Sequence, residues 1–133
     1  MVERSADWMS QAERDMKQAE ISFREGLYEW ACFAAQQAAE KAVKALIQIL
    51  GGEAWGHSVA ALMDALPDHV RPVNLRDKAL ELDQAYIPSR YPNVHPTGYP
   101  GTLYSRTVAE RLIRYSKEII SYCRETMPHM RKE

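Results

Sequence analysis

The chain has 133 residues, 46% of them apolar and 26% charged, which is the composition of a globular domain and excludes a disordered one. Seventeen Lys and Arg against eighteen Asp and Glu give a net charge of -1, which argues against coating nucleic acid by bulk charge. The apolar stretches are only a few residues long, so no membrane span is expected. The length suits one domain over residues 1–133. Met1 to Trp8 lacks the apolar run of a secretory leader, and Cys32 and Cys123 are too few and too far apart for a disulfide framework. Both features set the expectation of a reducing cytoplasm.

Helical periodicity accounts for nearly everything outside one segment. Trp8, Ala12, Met16, Ala19 and Phe23 recur at steps of three and four, and Gly26 supplies a stop. A second helix begins near Tyr28 with Ala31, Ala35, Ala38, Ala42 and Leu46 on one stripe, widened by Ala39, Val43 and Leu50. Gly51 and Gly52 end it, and its alanines allow neighbouring helices to approach closely, which predicts a central position. A shorter helix fits 58–66, with Ser58 as its N-cap and Pro67 as its end. Leu75, Ala79, Leu82 and Tyr86 predict a fourth that stops before Pro88, with Tyr86 in the core. The last runs from Thr102 or Ser105 to Met127, and Thr107 and Glu110 have the spacing of a capping box. No stretch alternates as a strand. The expected fold is an all-α antiparallel bundle of about five helices.

Residues 84–109 break the pattern. They contain no Asp or Glu, but they hold Arg90, His95, Arg106 and the tyrosines Tyr86, Tyr91, Tyr99 and Tyr104. Prolines at 88, 92, 96 and 100 frame a Pro/Tyr-rich functional loop over 87–102. Long irregular connections often carry function, and proline pre-organises what they present. A guanidinium binds phosphate oxygens through two parallel hydrogen bonds, and an imidazole exchanges protons near neutrality. Arg90 as phosphate and transition-state ligand and His95 as general acid or base make metal-independent RNA cleavage a candidate chemistry. Tyr91, Asn93, Tyr99 and Arg106 are the candidate substrate contacts, the tyrosines by stacking on bases. The plainer alternative is a loop that ties two helices together.

Other clusters read more simply. The histidines at 57, 69, 95 and 129 lack metal-ligand spacing, so neither a metal nor another cofactor is expected. His57 beside Ser58 reads first as a helix-start residue with local hydrogen bonds, with catalytic use as the alternative. Glu40 and Lys44, four apart, read as a solvated salt-bridged face. Asp83 either orients Arg90 or is a plain surface carboxylate.

Several runs carry a family resemblance across nearly the whole chain. They are Trp8 with Ala12-Glu13-Arg14-Asp15, Gly26-Leu27-Tyr28, the run from Ala34 to Leu46 that includes Gln36-Gln37-Ala38-Ala39-Glu40-Lys41, His57-Ser58, and Leu82 to Pro92. Together they resemble the HEPN family (higher eukaryotes and prokaryotes nucleotide-binding domain). The resemblance implies an antiparallel helical bundle that dimerises. It also implies, for many members, a metal-independent endoribonuclease marked by Arg, four to six residues, then His, a motif that Arg90 and His95 match. Small prokaryotic members resemble toxins partnered by a minimal nucleotidyltransferase, so a homodimer, that partner and an RNA or nucleotide ligand are expected. Tyr91 stands where ribonuclease members often carry a polar residue, and Thr97 stands where some carry a modified tyrosine. The competing function is a non-catalytic module that binds a nucleotide or docks the partner.

Overall fold

In a computed structural model the chain is described over residues 3–130 except Pro88, with the side chains of 129 and 130 set aside. The basic Arg131-Lys132 tail and the first proline of the loop series lie outside the described residues. Within them the chain forms six α-helices and no strand: α1 Ser5–Arg24, α2 Tyr28–Ile49, α3 Val59–Asp64, α4 Arg76–Asp83, α5 Pro100–Leu103 and α6 Arg106–Met130. The expected five are present, and α5 is a single extra turn inside the proline segment.

The α1–α2 corner is tight because Gly26 takes a φ of 78°, a conformation that costs glycine little. Its N–H donates to the Phe23 carbonyl at 3.1 Å, and the Leu27 N–H donates to Ser22 at 2.8 Å. The two helices then run antiparallel. Lys41 Nζ reaches Asp15 at 2.6 Å, while near the opposite ends the Arg4 N–H donates to Gln48 Oε1 at 3.2 Å. Helix α6 is also antiparallel to α1, through Lys117–Glu20 at 2.7 Å and Arg124–Glu13 at 2.9 Å. It follows that α6 runs in the same direction as α2, and the chain crosses back between them through residues 50–105.

Helix α2 is the axis. It packs along both α1 and α6, and Ala31, Ala35, Ala38, Ala39, Ala42 and Ala45 are fully buried. Alanines at these positions bring the helices together, with Ala12 and Ala19 of α1 and Ala109 of α6 equally buried. Ser116 of α6 donates its hydroxyl to the Ala35 carbonyl at 2.7 Å, which satisfies the one polar side chain on that buried face of α6.

Two ends differ from the pattern in the sequence. Helix α6 is capped by Ser105, whose Oγ accepts from the Val108 N–H at 3.1 Å, rather than by Thr107. Glu110 instead faces Arg106 at 3.9 Å. Helix α4 ends at Asp83, so Tyr86 lies beyond it in a run of tight turns. The N–H groups of Gln84, Ala85 and Tyr86 donate to the carbonyls three residues earlier, at 3.2, 2.9 and 3.2 Å. That tightening reflects the coming proline, which disfavours helical backbone just before it.

Ala35→Leu forces three extra carbons into the α2–α6 contact, and overpacking of this kind costs about 1–3 kcal/mol. Urea unfolding should show that loss, while Leu80→Ala on the exposed side of α4 should leave the midpoint nearly unchanged. Burial also pushes the Cys32 and Cys123 thiols up from 9.0 to about 12. Between pH 9 and 12 the unfolded chain releases those protons and the folded chain keeps them, so stability falls as pH rises through that window. Urea midpoints measured across the window should decline, and less steeply in Cys123→Ala.

Candidate functional site

Past α4 the backbone is pinned before it reaches Arg90. Ala85 and Ser89 are buried, and the Ser89 hydroxyl donates to the Ala85 carbonyl. The Arg90 N–H donates to Ile87 at 3.0 Å. Its side chain is then anchored by Nε, which donates to the Tyr86 carbonyl at 3.1 Å. The guanidinium carbon stands 4.3 Å from the Phe33 ring centre, 5.1 Å from Tyr86 and 5.4 Å from Tyr91. Three ring faces thus hold the cation by cation–π attraction. Among the described residues no carboxylate pairs with it, and the Nε anchor leaves the two terminal nitrogens for oxygen ligands.

His95 follows a short 3₁₀ turn, Pro92–Val94, and its N–H donates to the Pro92 carbonyl at 3.1 Å. Its half-buried imidazole meets Tyr104 edge to face, with ring centres 6.4 Å apart. Burial, reinforced by the nearby Cys32 sulfur, pushes the Tyr104 phenol up to about 12, so this tyrosine is a neutral donor rather than a base. Tyr104 and Tyr86 line one cavity of about 580 Å³ with Glu81, Asp83, Ile87 and Arg111. The rings that touch His95 and Arg90 therefore border a common space.

The remaining sequence candidates divide. Tyr91 joins the Arg90 cage directly. Asn93 is exposed on the 3₁₀ turn. Tyr99 is exposed at the start of α5, where its N–H meets Thr102 Oγ1 at 3.3 Å and its carbonyl accepts from that hydroxyl at 2.8 Å. Arg106 lies over the Phe23 ring at 5.0 Å and beside Glu110, contacts it shares with none of the others.

Three plain readings of the sequence are corrected. Asp83 neither orients Arg90 nor faces solvent alone. Its carboxylate accepts from the Ser58 hydroxyl at 2.8 Å, the Val59 N–H at 2.7 Å and the Ala60 N–H at 3.0 Å, so it caps α3 from a distance. Glu40 and Lys44 do not form a solvated face: both are buried, 3.0 Å apart. Tyr86 is not a helical core residue; it stacks on the His57 ring, with centres 4.9 Å apart and planes 16° from parallel.

These residues belong to one polar network on α2 that the sequence motif only hints at. Gln36 Nε2 donates to the His57 carbonyl at 2.7 Å and to Asp83 at 3.3 Å. Gln37 Nε2 donates to Gln36 Oε1 at 2.8 Å and to Glu40 at 3.1 Å. Lys41 bridges Gln37 and Asp15. The Gln-Gln-Ala-Ala-Glu-Lys run therefore docks the 57–59 and 83–86 segments onto α2, which also supplies Phe33 to Arg90. Phe33 is the site neighbour that sequence reasoning missed, and His57, read there chiefly as a helix-start residue, is brought onto Tyr86. Among the described residues no three His, Cys, Asp or Glu side chains cluster as metal ligands.

Fold and site together define a small α-helical bundle that carries an aromatic-caged arginine and a histidine on one proline-spaced segment. The chain belongs to the HEPN domain family, whose model matches residues 5–126. It is similar to the crystal structure of TT1696 from Thermus thermophilus, at 42% identity over 93% of this chain and 98% of that one, with a TM-score of 0.90. It is also similar to ST0689, an archaeal HEPN homologue, at 38% identity, with 95% and 99% coverage and a TM-score of 0.78. A HEPN domain protein from Thermotoga maritima, tm0613, matches at 38% identity, covering 92% and 98%, with a TM-score of 0.69. No match is found among curated proteins. Among the described residues no helix is long and apolar enough to cross a membrane.

Asp83→Ala leaves two backbone N–H groups, the Ser58 hydroxyl and the Gln36 amide without their charged acceptor. Hydrogen bonds to charged groups contribute about 1.5–3 kcal/mol. Thermal and urea unfolding should both show a loss of that order, with Asp83→Asn falling in between.

Proposed function

We propose that this protein is a metal-independent endoribonuclease in which Arg90 holds the phosphate and His95 moves a proton. The observation that carries this reading is the Arg90 guanidinium, caged by three rings and unpaired with any carboxylate among the described residues. Phosphate is the natural counter-ion for such a group, since two parallel N–H donors match two of its oxygens. The surrounding acid-free segment favours an anion further. As a phosphodiester passes through its transition state, charge grows on the non-bridging oxygens, and a pre-placed guanidinium stabilises it without reorganising. Tyr91 and Tyr99, both exposed, offer faces for bases. In this reading the protein acts as a homodimer and as the toxin-like half of a pair with a minimal nucleotidyltransferase in the cytoplasm. Family membership and the match of Arg90 and His95 to the ribonuclease motif support it.

The anion cage alone also suits a non-catalytic nucleotide-binding module. Cleavage of RNA in the presence of a chelator separates the two. The ribonuclease reading expects cleavage that survives chelation and falls about 100-fold or more in His95→Ala, the scale of general acid–base assistance. Arg90→Ala and Arg90→Lys should both lose it, because an ammonium does not present the planar fork. Nucleotide binding by a parent protein that leaves RNA intact would establish the module instead.

A further inference from the structure

His57 is more tightly specified than a helix-start residue needs to be. Its backbone carbonyl is fixed by Gln36, and its ring lies flat on Tyr86. Nδ1 stands 3.3 Å from both carboxylate oxygens of Glu40. The two side chains differ sharply in environment: Glu40 is 4% exposed and His57 is 57% exposed. A buried carboxylate facing Nδ1 holds the proton on that nitrogen in the neutral ring, which leaves the Nε2 lone pair to accept another. It also stabilises the imidazolium once a proton arrives, the role a buried carboxylate plays beside a catalytic histidine. Lys44 meets the other side of Glu40 from within α2, 3.0 Å away, so the carboxylate has a cationic partner inside the fold. The ring that His57 stacks on is one of the three that border Arg90.

We propose that His57 is a second proton-transferring residue of the site, acting as general base, with Glu40 as its positioning residue. This rests on the ribonuclease reading of Arg90 and His95 and supplies what one histidine cannot. In the step, His57 Nε2 takes the proton of the RNA 2′-hydroxyl as the 2′ oxygen bonds to phosphorus. The bond from phosphorus to the 5′ oxygen breaks, and that oxygen receives a proton from His95. A 2′,3′-cyclic phosphate and a 5′-hydroxyl result, and no water or external reagent is consumed. The charged and titratable groups around His57 are Glu40 and Lys44 on α2, Asp83 at the end of α4, and Tyr86 and Arg90 beyond it.

The test uses chelator-treated full-length protein and an RNA whose scissile 5′ oxygen is replaced by sulfur, a leaving group that needs no acid. His57→Asn should cut normal RNA about 100-fold or more slowly, and the sulfur substrate should not restore it. The same substrate should restore His95→Ala. Because Glu40→Gln alone would strand the Lys44 charge, Glu40→Gln with Lys44→Met is the companion variant. It should lower the NMR titration midpoint of the His57 ring and move the acidic limb of the rate profile to lower pH with it. In the parent, uridine 3′-monophosphate should shift the His57 ring resonances, and Arg90→Ala should abolish that response. Full cleavage by His57→Asn, or rescue of that variant by sulfur, overturns the assignment while leaving the ribonuclease reading standing. A parent that cuts neither RNA removes that reading and His57's role together.

Discussion

Glu40 is a carboxylate in the middle of a helix that is otherwise lined with alanine, and the arrangement of the site depends on how its charge is satisfied. Lys44 meets it at 3.0 Å from the next turn, Gln37 donates at 3.1 Å, and His57 closes on it from outside the helix. Removing one partner from a buried ion pair typically costs about 3–5 kcal/mol, whereas the intact pair contributes little net stability. Such a group is a specificity device more than a source of stability: it makes one docking of the 57–59 segment far better than its neighbours. Gln36 extends the same logic to Asp83, and Asp83 to the N-terminus of α3. Two sequence-distant segments, 57–60 and the end of α4 at Asp83, are thereby locked in one register against α2.

How much of this was legible follows from the range of each signal. Helix existence was clear because a 3.6-residue period repeats several times in each of α1, α2 and α6, and Gly26 marks its corner within three residues. Helix α2 shows where that signal saturates. Every position from Ala34 to Ile47 is buried or half-buried, so periodicity no longer tells which polar residue faces in. A Glu and a Lys four apart look the same on a wet face and in a dry core. Tyr86 misled for a related reason: it continues the Leu75–Ala79–Leu82 spacing, but the proline two residues on forbids the turn that would bury it. Asp83 binds groups more than twenty residues away, and no local pattern encodes that.

The site itself was legible in part, and for a physical reason. An acid-free stretch with two arginines is a local property of the chain, so Arg90 could be singled out without knowing the fold. Its cage could not, because Phe33 arrives from the centre of α2. Arg106 shows the limit of composition as a guide. It belongs to the same basic segment, yet α6 begins at that residue and carries it onto Phe23 instead. The near-zero net charge conceals this arrangement: acids pair with bases along the bundle, at Asp15, Glu13 and Glu20, while the guanidinium of Arg90 meets three rings and the Tyr86 carbonyl, and no carboxylate among the described residues.

The two histidines are held by different means, and the difference bears on how such a site works. His57 is held by the same network that positions the helices, with Gln36 at its carbonyl and Glu40 and Tyr86 at its ring. His95 sits on a proline-spaced segment whose residues 91–94 and 96–99 are exposed, and its ring leans on Tyr104, a phenol kept neutral by burial. A proton acceptor that must meet a specific hydroxyl gains from the first kind of restraint. A residue that must follow a departing oxygen is better carried on the second. Arg90 lies between these regimes, with its carbonyl anchor on the loop and its closest ring contact on α2, so it ties the loop-borne half of the site to the half fixed by the core.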